Sequence, residues 1–116
     1  MRRLSFTWFG HATFMFHTPG GKRILVDPWL TGNPVCPVPL RHITELDLIL
    51  LTHGHHDHAA DVIVLARSTA ARVIAPYELS VWLERKGVRS VTSMNQGGSL
   101  NVLGLSVTMV TALHSS

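Results

Sequence analysis

Six consecutive positions, His53-Gly54-His55-His56-Asp57-His58, hold four histidines and one aspartate directly after the apolar run Leu48-Ile49-Leu50-Leu51-Thr52. Neutral imidazole and carboxylate are donors for zinc, manganese and iron, and few structural roles need so many of them on one short loop. The run before them is equally constraining. Short, continuous and apolar, it reads as a strand buried on both faces that delivers the donors at its carboxyl end.

The flanking sequence supplies the rest of a layered sheet. Residues 4–9 and 12–17 alternate and are rich in aromatics, which predicts two antiparallel strands joined at Gly10-His11. Thr18-Pro19-Gly20-Gly21 is turn chemistry, and a third strand over 22–26 ends at Asp27-Pro28. Gly32, Pro34, Pro37 and Pro39 then exclude a continuous helix or a central strand from 29–42, a long loop expected to be functional or to form a rim. Helical spacing of Val62, Ile63, Leu65 and Ala66 predicts one helix over 59–68, with Asp57 and Asp61 near its amino end where carboxylates are favoured. A strand over 72–75, a helix over 77–86 closed by Gly87, and strands over 88–94, 99–102 and 105–113 complete a mixed α/β arrangement with two helices.

Composition narrows the function classes. At 116 residues the chain fits one domain, 46% hydrophobic against 15% charged, so it packs rather than stays disordered. The formal charge of +3 gives a weak preference for anionic partners, yet the basic residues are scattered from Arg2-Arg3 to Arg89. Nucleic-acid binding is therefore not favoured. No apolar run approaches a membrane span, and the start Met1-Arg2-Arg3 is not followed by a signal-peptide pattern. The single cysteine, Cys36, excludes an internal disulfide and suggests a reducing, cytoplasmic setting; lying among prolines with no paired base, it reads as an incidental thiol.

Spacing within the cluster suggests how it works. His53 and His55 are two apart at the end of an extended run, so both side chains point to one side and one metal could bridge them. The chain then turns into a helix, and Asp57 and His58 leave in a new direction, able to hold a second metal nearby. His56 points the opposite way, toward a supporting or solvent role. His11, after a glycine at a strand junction, could reach the metal pocket or be a satisfied polar residue. Trp8, Trp29 and Trp82 read as packing residues, with Trp29 alone placed to wall a pocket.

His53-Gly54-His55-His56-Asp57-His58 resembles the H-x-H-x-D-H motif of metallo-β-lactamase-fold hydrolases, which also follows an apolar strand ending in Thr. Trp8-Phe9-Gly10-His11-Ala12-Thr13 and Ile24-Leu25-Val26-Asp27-Pro28 look like the subgroup similar to the L-ascorbate phosphate lactonase, and the likeness covers essentially all of the chain. It implies the N-terminal half of an αββα sandwich, residues 1–116 being one partial domain whose C-terminal half is absent. The resemblance assigns His53, His55 and His114 to a first metal, His114 lying in Thr111-Ala112-Leu113-His114-Ser115-Ser116. Asp57 and His58 belong to a second, and Asp27 buttresses the ligands, with His11 in a supporting position.

The implied reaction is metal-dependent hydrolysis of a phosphoester or lactone by a metal-bound hydroxide at a mononuclear or dinuclear centre, with Asp57 orienting the attacking water. Zinc is the expected cation, with manganese, iron or nickel as alternatives, and the expected partner is a small anionic substrate. The later aspartate and histidine that complete the second site have no counterpart, so the chain alone is expected to hold one metal, to show weak activity or none, and to associate with a complementing half or a second copy. The other readings are a nuclease of the same fold, requiring a basic groove, and a metal-binding module without catalysis.

Overall fold

The computed structural model describes residues 2–115, so Met1 and Ser116, named with the two terminal motifs above, lie outside the described residues. Among the described residues, eight strands and three short α-helices follow one another as β1 (Ser5–Gly10), β2 (Thr13–His17), β3 (Arg23–Val26), β4 (Leu48–Leu50), α1 (His56–Ala59), α2 (Val62–Thr69), β5 (Arg72–Pro76), α3 (Tyr77–Arg85), β6 (Val91–Met94), β7 (Ser99–Val102) and β8 (Leu105–Thr108). The first six form one sheet in the order β1-β2-β3-β4-β5-β6, and β7-β8 form a separate hairpin. β1, β2 and β3 are antiparallel neighbours, whereas β3, β4, β5 and β6 run parallel. The predicted mixed sheet is therefore present, antiparallel at one end where turns suffice and parallel where helical or long connections cross over.

Period-two alternation divides the apolar residues between the sheet's two faces. Leu25, Ile49 and Val73 stand in register and pack with Val62, Leu65, Ala66 and Leu83 of α2 and α3. Their neighbours Ile24, Leu48 and Ile74 point the other way and join Met94 and Val102 of the hairpin layer. Leu25, Leu48, Ile49 and Val73 are fully buried, as the continuous apolar runs required. The second face is only partly covered. At its antiparallel end Phe6 and Trp8 are 64% and 52% exposed, with the Phe6 ring 6.0 Å from that of Phe14. Trp8 and, at the groove below, Trp82 are thus exposed rather than packing residues as expected.

Three local expectations differ, each for a physical reason. The single helix over 59–68 is broken at Asp61, whose Oδ2 accepts hydrogen bonds from the amides of Leu30 and Thr31 at 2.6 and 3.1 Å. That side chain fastens the long loop to the core instead of capping α2. The strand over 88–94 begins only at Val91, because the amide of Val88 still bonds to the carbonyl of Leu83 at the end of α3. The last strand stops at Thr108; Met109 pairs with Gly97 and Gly98 through its backbone, and 110–115 is exposed and irregular. Loop 29–42 holds one 3-10 turn, Val38–Leu40, and is anchored by Asn33, fully buried, whose Nδ2 donates to the carbonyl of Trp29 at 2.9 Å.

Candidate metal centre

The carboxyl ends of β3 and β4 lie side by side, so the residues that follow each strand meet above the sheet's edge. β3 presents Asp27 there, and β4 presents Thr52 and then the histidine loop. Asp27 sits in the left-handed region at φ 46, which Asp tolerates better than most residues, and its side chain is turned inward at 3% exposure. Its Oδ1 accepts the amide of Thr52 at 2.8 Å. Its Oδ2 accepts the Thr52 hydroxyl at 2.6 Å and faces Nδ1 of His58 at 2.8 Å.

Those bonds dictate which ring nitrogens are free. A threonine hydroxyl has one proton, and that of Thr52 goes to Asp27, so Thr52 Oγ1 accepts from Nδ1 of His53, 2.8 Å away. The lone pair of His53 is then on Nε2, which faces Nδ1 of His55 at 3.1 Å. By the same reasoning a carboxylate only accepts, so His58 donates through Nδ1 and keeps its lone pair on Nε2. Burial lowers the pKa of His53, and the neighbouring His58, His55 and His114 push it down further, against the opposing pull of Asp27. A neutral imidazole is the ligand form.

His114 arrives from the irregular segment after β8 and brings Nε2 to 3.1 Å from the same Nδ1 of His55. Three ring nitrogens therefore converge from positions up to 61 residues apart. One imidazole proton cannot satisfy two close nitrogen neighbours at once, whereas tetrahedral donors about 2.0–2.1 Å from a shared cation stand about 3.3–3.4 Å apart, within a few tenths of an ångström of the spacing here. The donor set fits a divalent metal. Nearby, His11, Asp57 and His58 form a second convergent group, with His11 Nε2 3.4 Å from Asp57 Oδ2 and His58 Nε2 3.8 Å from Asp57 Oδ1. The two groups adjoin, since the rings of His53 and His58 are 4.1 Å apart.

The structure thus brings together His53, His55 and His114, and separately His11, Asp57 and His58, with Asp27 between them. Asp27 also falls within reach of His53 and His58 as a donor group, but its oxygens are taken by Thr52 and His58. His56 is exposed at the start of α1. Trp29 meets the ring of His11 edge-on at 5.4 Å. Cys36 is buried in the loop, and burial pushes its thiol pKa up, the opposite of what a nucleophile needs. Thr52 is the participant that sequence reasoning passed over. The available signal was its position between an apolar strand and a histidine, where a hydroxyl can join the two.

Beside the centre lies an open groove of about 1370 Å3, lined by Leu50, Ile74, Trp82, Met94 and Val107 and reaching His53 and His114. Its lining contains Glu78 and no lysine or arginine. No helix among the described residues is long and apolar enough to cross a membrane.

Comparison with known proteins agrees with this geometry. Residues 22–116 match the model of the β-lactamase superfamily domain. A metal-dependent hydrolase of family UPF0173 from Koribacter versatilis is 44% identical over 99% of this chain and 49% of its own length. Another from Rubrobacter xylanophilus is 46% identical over 95% of this chain and 46% of its own. The chain spans about half the length of these relatives. Among solved structures, Igni18, a metallo hydrolase from Ignicoccus hospitalis, superposes with a TM-score of 0.85 at 31% identity, over 97% of this chain and 50% of that one. CmlA, a diiron β-hydroxylase from Streptomyces venezuelae, superposes with a TM-score of 0.76 at 22% identity, over 97% of this chain and 24% of its own, and so shares the fold.

Proposed function

The chain belongs to the β-lactamase superfamily domain family, and from that premise we propose that it carries the principal metal-binding residues of a metal-dependent hydrolase. The convergence of His53 Nε2 and His114 Nε2 on His55 Nδ1, at 3.1 Å each, is the observation that carries this reading. His53, His55 and His114 would hold one divalent cation, assigned as zinc because three neutral imidazole donors suit it; manganese, iron and nickel are the alternatives. A cation bound there would supply an activated water near neutral pH and charge stabilisation for the substrate oxygen. Asp57 is the catalytic carboxylate. Placed beside that set and 44% exposed, it can orient the attacking water.

The substrate class is a phosphoester or lactone, whose electrophile carries a polarisable oxygen that can face the centre. Residues 1–116 are one partial domain in this reading. The remaining half of the αββα sandwich packs on the sheet face where Phe6 and Trp8 are exposed, which agrees with relatives twice as long.

The test is a chromogenic phosphodiester and lactone panel. It is run on the zinc-loaded chain alone and on the chain mixed with the unmatched half of the Koribacter versatilis relative. Turnover that requires zinc and is lost in Asp57→Ala supports the hydrolase. Tight zinc binding with no turnover in either arm favours a non-catalytic metal-binding module.

A further inference from the structure

We propose that His11 is the third donor to a second divalent cation, held with Asp57 and His58, so that residues of this chain alone hold two metals. This rests on the reading of the histidine loop as a metal centre. Sequence reasoning left Asp57 and His58 without a partner inside 1–116 and gave His11 a supporting place. The geometry of the Gly10-His11 turn assigns it a closer one.

The turn aims His11 at the centre and holds it there. Gly10, at φ 102, lies so close to the long loop that a Cβ on it would stand 2.8 Å from Cβ of Val35. His11 follows at φ 55, in the left-handed region that is uncommon for any residue with a side chain, although His, like Asn and Asp, enters it more readily than most. Such outliers persist where surrounding structure enforces them, and they concentrate at functional sites. Two tryptophans do the enforcing. Trp8 Nε1 donates to the carbonyl of His11 at 2.9 Å, and Trp29 meets its ring edge-on at 5.4 Å.

Held this way, His11 directs Nε2 at Asp57 Oδ2 from 3.4 Å. That separation is long for a charge-assisted hydrogen bond, which closes to about 2.7–2.9 Å. It matches the edge of a tetrahedron of donors about 2.1 Å from a shared cation. His58 contributes the nitrogen that its bond to Asp27 leaves free, 3.8 Å from Asp57 Oδ1, and its ring lies 5.0 Å from that of His11. The side chains of His11 and Asp57 are 41% and 44% exposed, so solvent or substrate can reach the open side of this group.

The experiment is zinc and cobalt(II) titration of the metal-free chain, with bound metal counted by elemental analysis and cobalt coordination followed by visible absorption. The chain as it stands is expected to bind two equivalents. His11→Asn keeps a residue that accepts left-handed backbone but withdraws the imidazole. It is expected to weaken one equivalent at least tenfold and change one cobalt spectrum, while far-ultraviolet dichroism and the other equivalent stay unchanged. His114→Ala is expected to weaken the other equivalent and spare the His11-dependent one. A single equivalent in the unaltered chain, or two equivalents in His11→Asn with affinities within twofold, overturns the proposal while leaving the first site standing. No binding at all overturns the metal-centre reading itself.

Discussion

Replacing Asp27 by asparagine changes one atom in a carboxylate that bonds His58 directly and reaches His53 through Thr52. Three donors converge on it: the Thr52 amide at 2.8 Å, the Thr52 hydroxyl at 2.6 Å and His58 Nδ1 at 2.8 Å. An amide offers one oxygen, so whichever way it turns, its NH2 faces at least one of these donors. At 3% exposure no bulk water relieves the conflict. Asparagine adopts the left-handed backbone found at φ 46 at least as readily as aspartate, so the substitution isolates the side chain.

Leaving one buried donor unpaired costs about 1–3 kcal/mol of stability. The larger consequence is for metal affinity. Without its acceptor, His58 is no longer held with Nδ1 as donor and Nε2 free, and Thr52 no longer needs to orient His53. Loss of such a supporting bond typically weakens metal binding about 10–100-fold, or about 1.4–2.7 kcal/mol. The assay is zinc competition against a chromophoric chelator, with urea denaturation of the metal-free chain measured in parallel. A folded Asp27→Asn chain whose zinc affinity stays within twofold and whose stability stays within about 0.3 kcal/mol would refute the reasoning.

Further substitutions probe the same structure at other points. Thr52→Val removes the hydroxyl joining Asp27 to His53 and leaves the amide, so zinc affinity in the chelator assay should fall about tenfold, less than in Asp27→Asn. His56→Ala, at an exposed position, should leave zinc affinity within twofold, and a larger loss would make His56 a ligand. Gly10→Ala should cost about 1–3 kcal/mol in urea denaturation, because it forces a side chain into φ 102 and against Val35. Asp47 has its carboxyl pKa lowered, first by the Arg23 amide at 2.8 Å and then by Lys22, against an opposing effect of burial. Its contribution to stability is therefore complete above about pH 4 and is lost as pH falls through its lower folded value. Asp47→Asn should flatten the stability curve below about pH 4, and an unchanged slope there would remove Asp47 from the account.

The sequence by itself determined what is local. Donor chemistry at His53, His55, Asp57 and His58 is legible because it lies in one short segment, and β2 to β5 are legible because period-two alternation and continuous apolar runs record burial directly. The positions of Asp27 and His114 were reached through resemblance, since neither stands out among its neighbours in the chain. Only tertiary structure decided that α2 starts after Asp61, where a side chain is taken up by a loop 30 residues earlier, and that β8 stops at Thr108. It likewise decided that Asp27, Thr52 and His58 form one hydrogen-bonded unit, that His114 meets His55, and that His11 faces Asp57. The physical reason is that metal donors and buried hydrogen bonds act over about 3 Å in space whatever their separation along the chain. Their partners are chosen by strand order and by the parallel register of β3 with β4, which a linear pattern of residues does not contain.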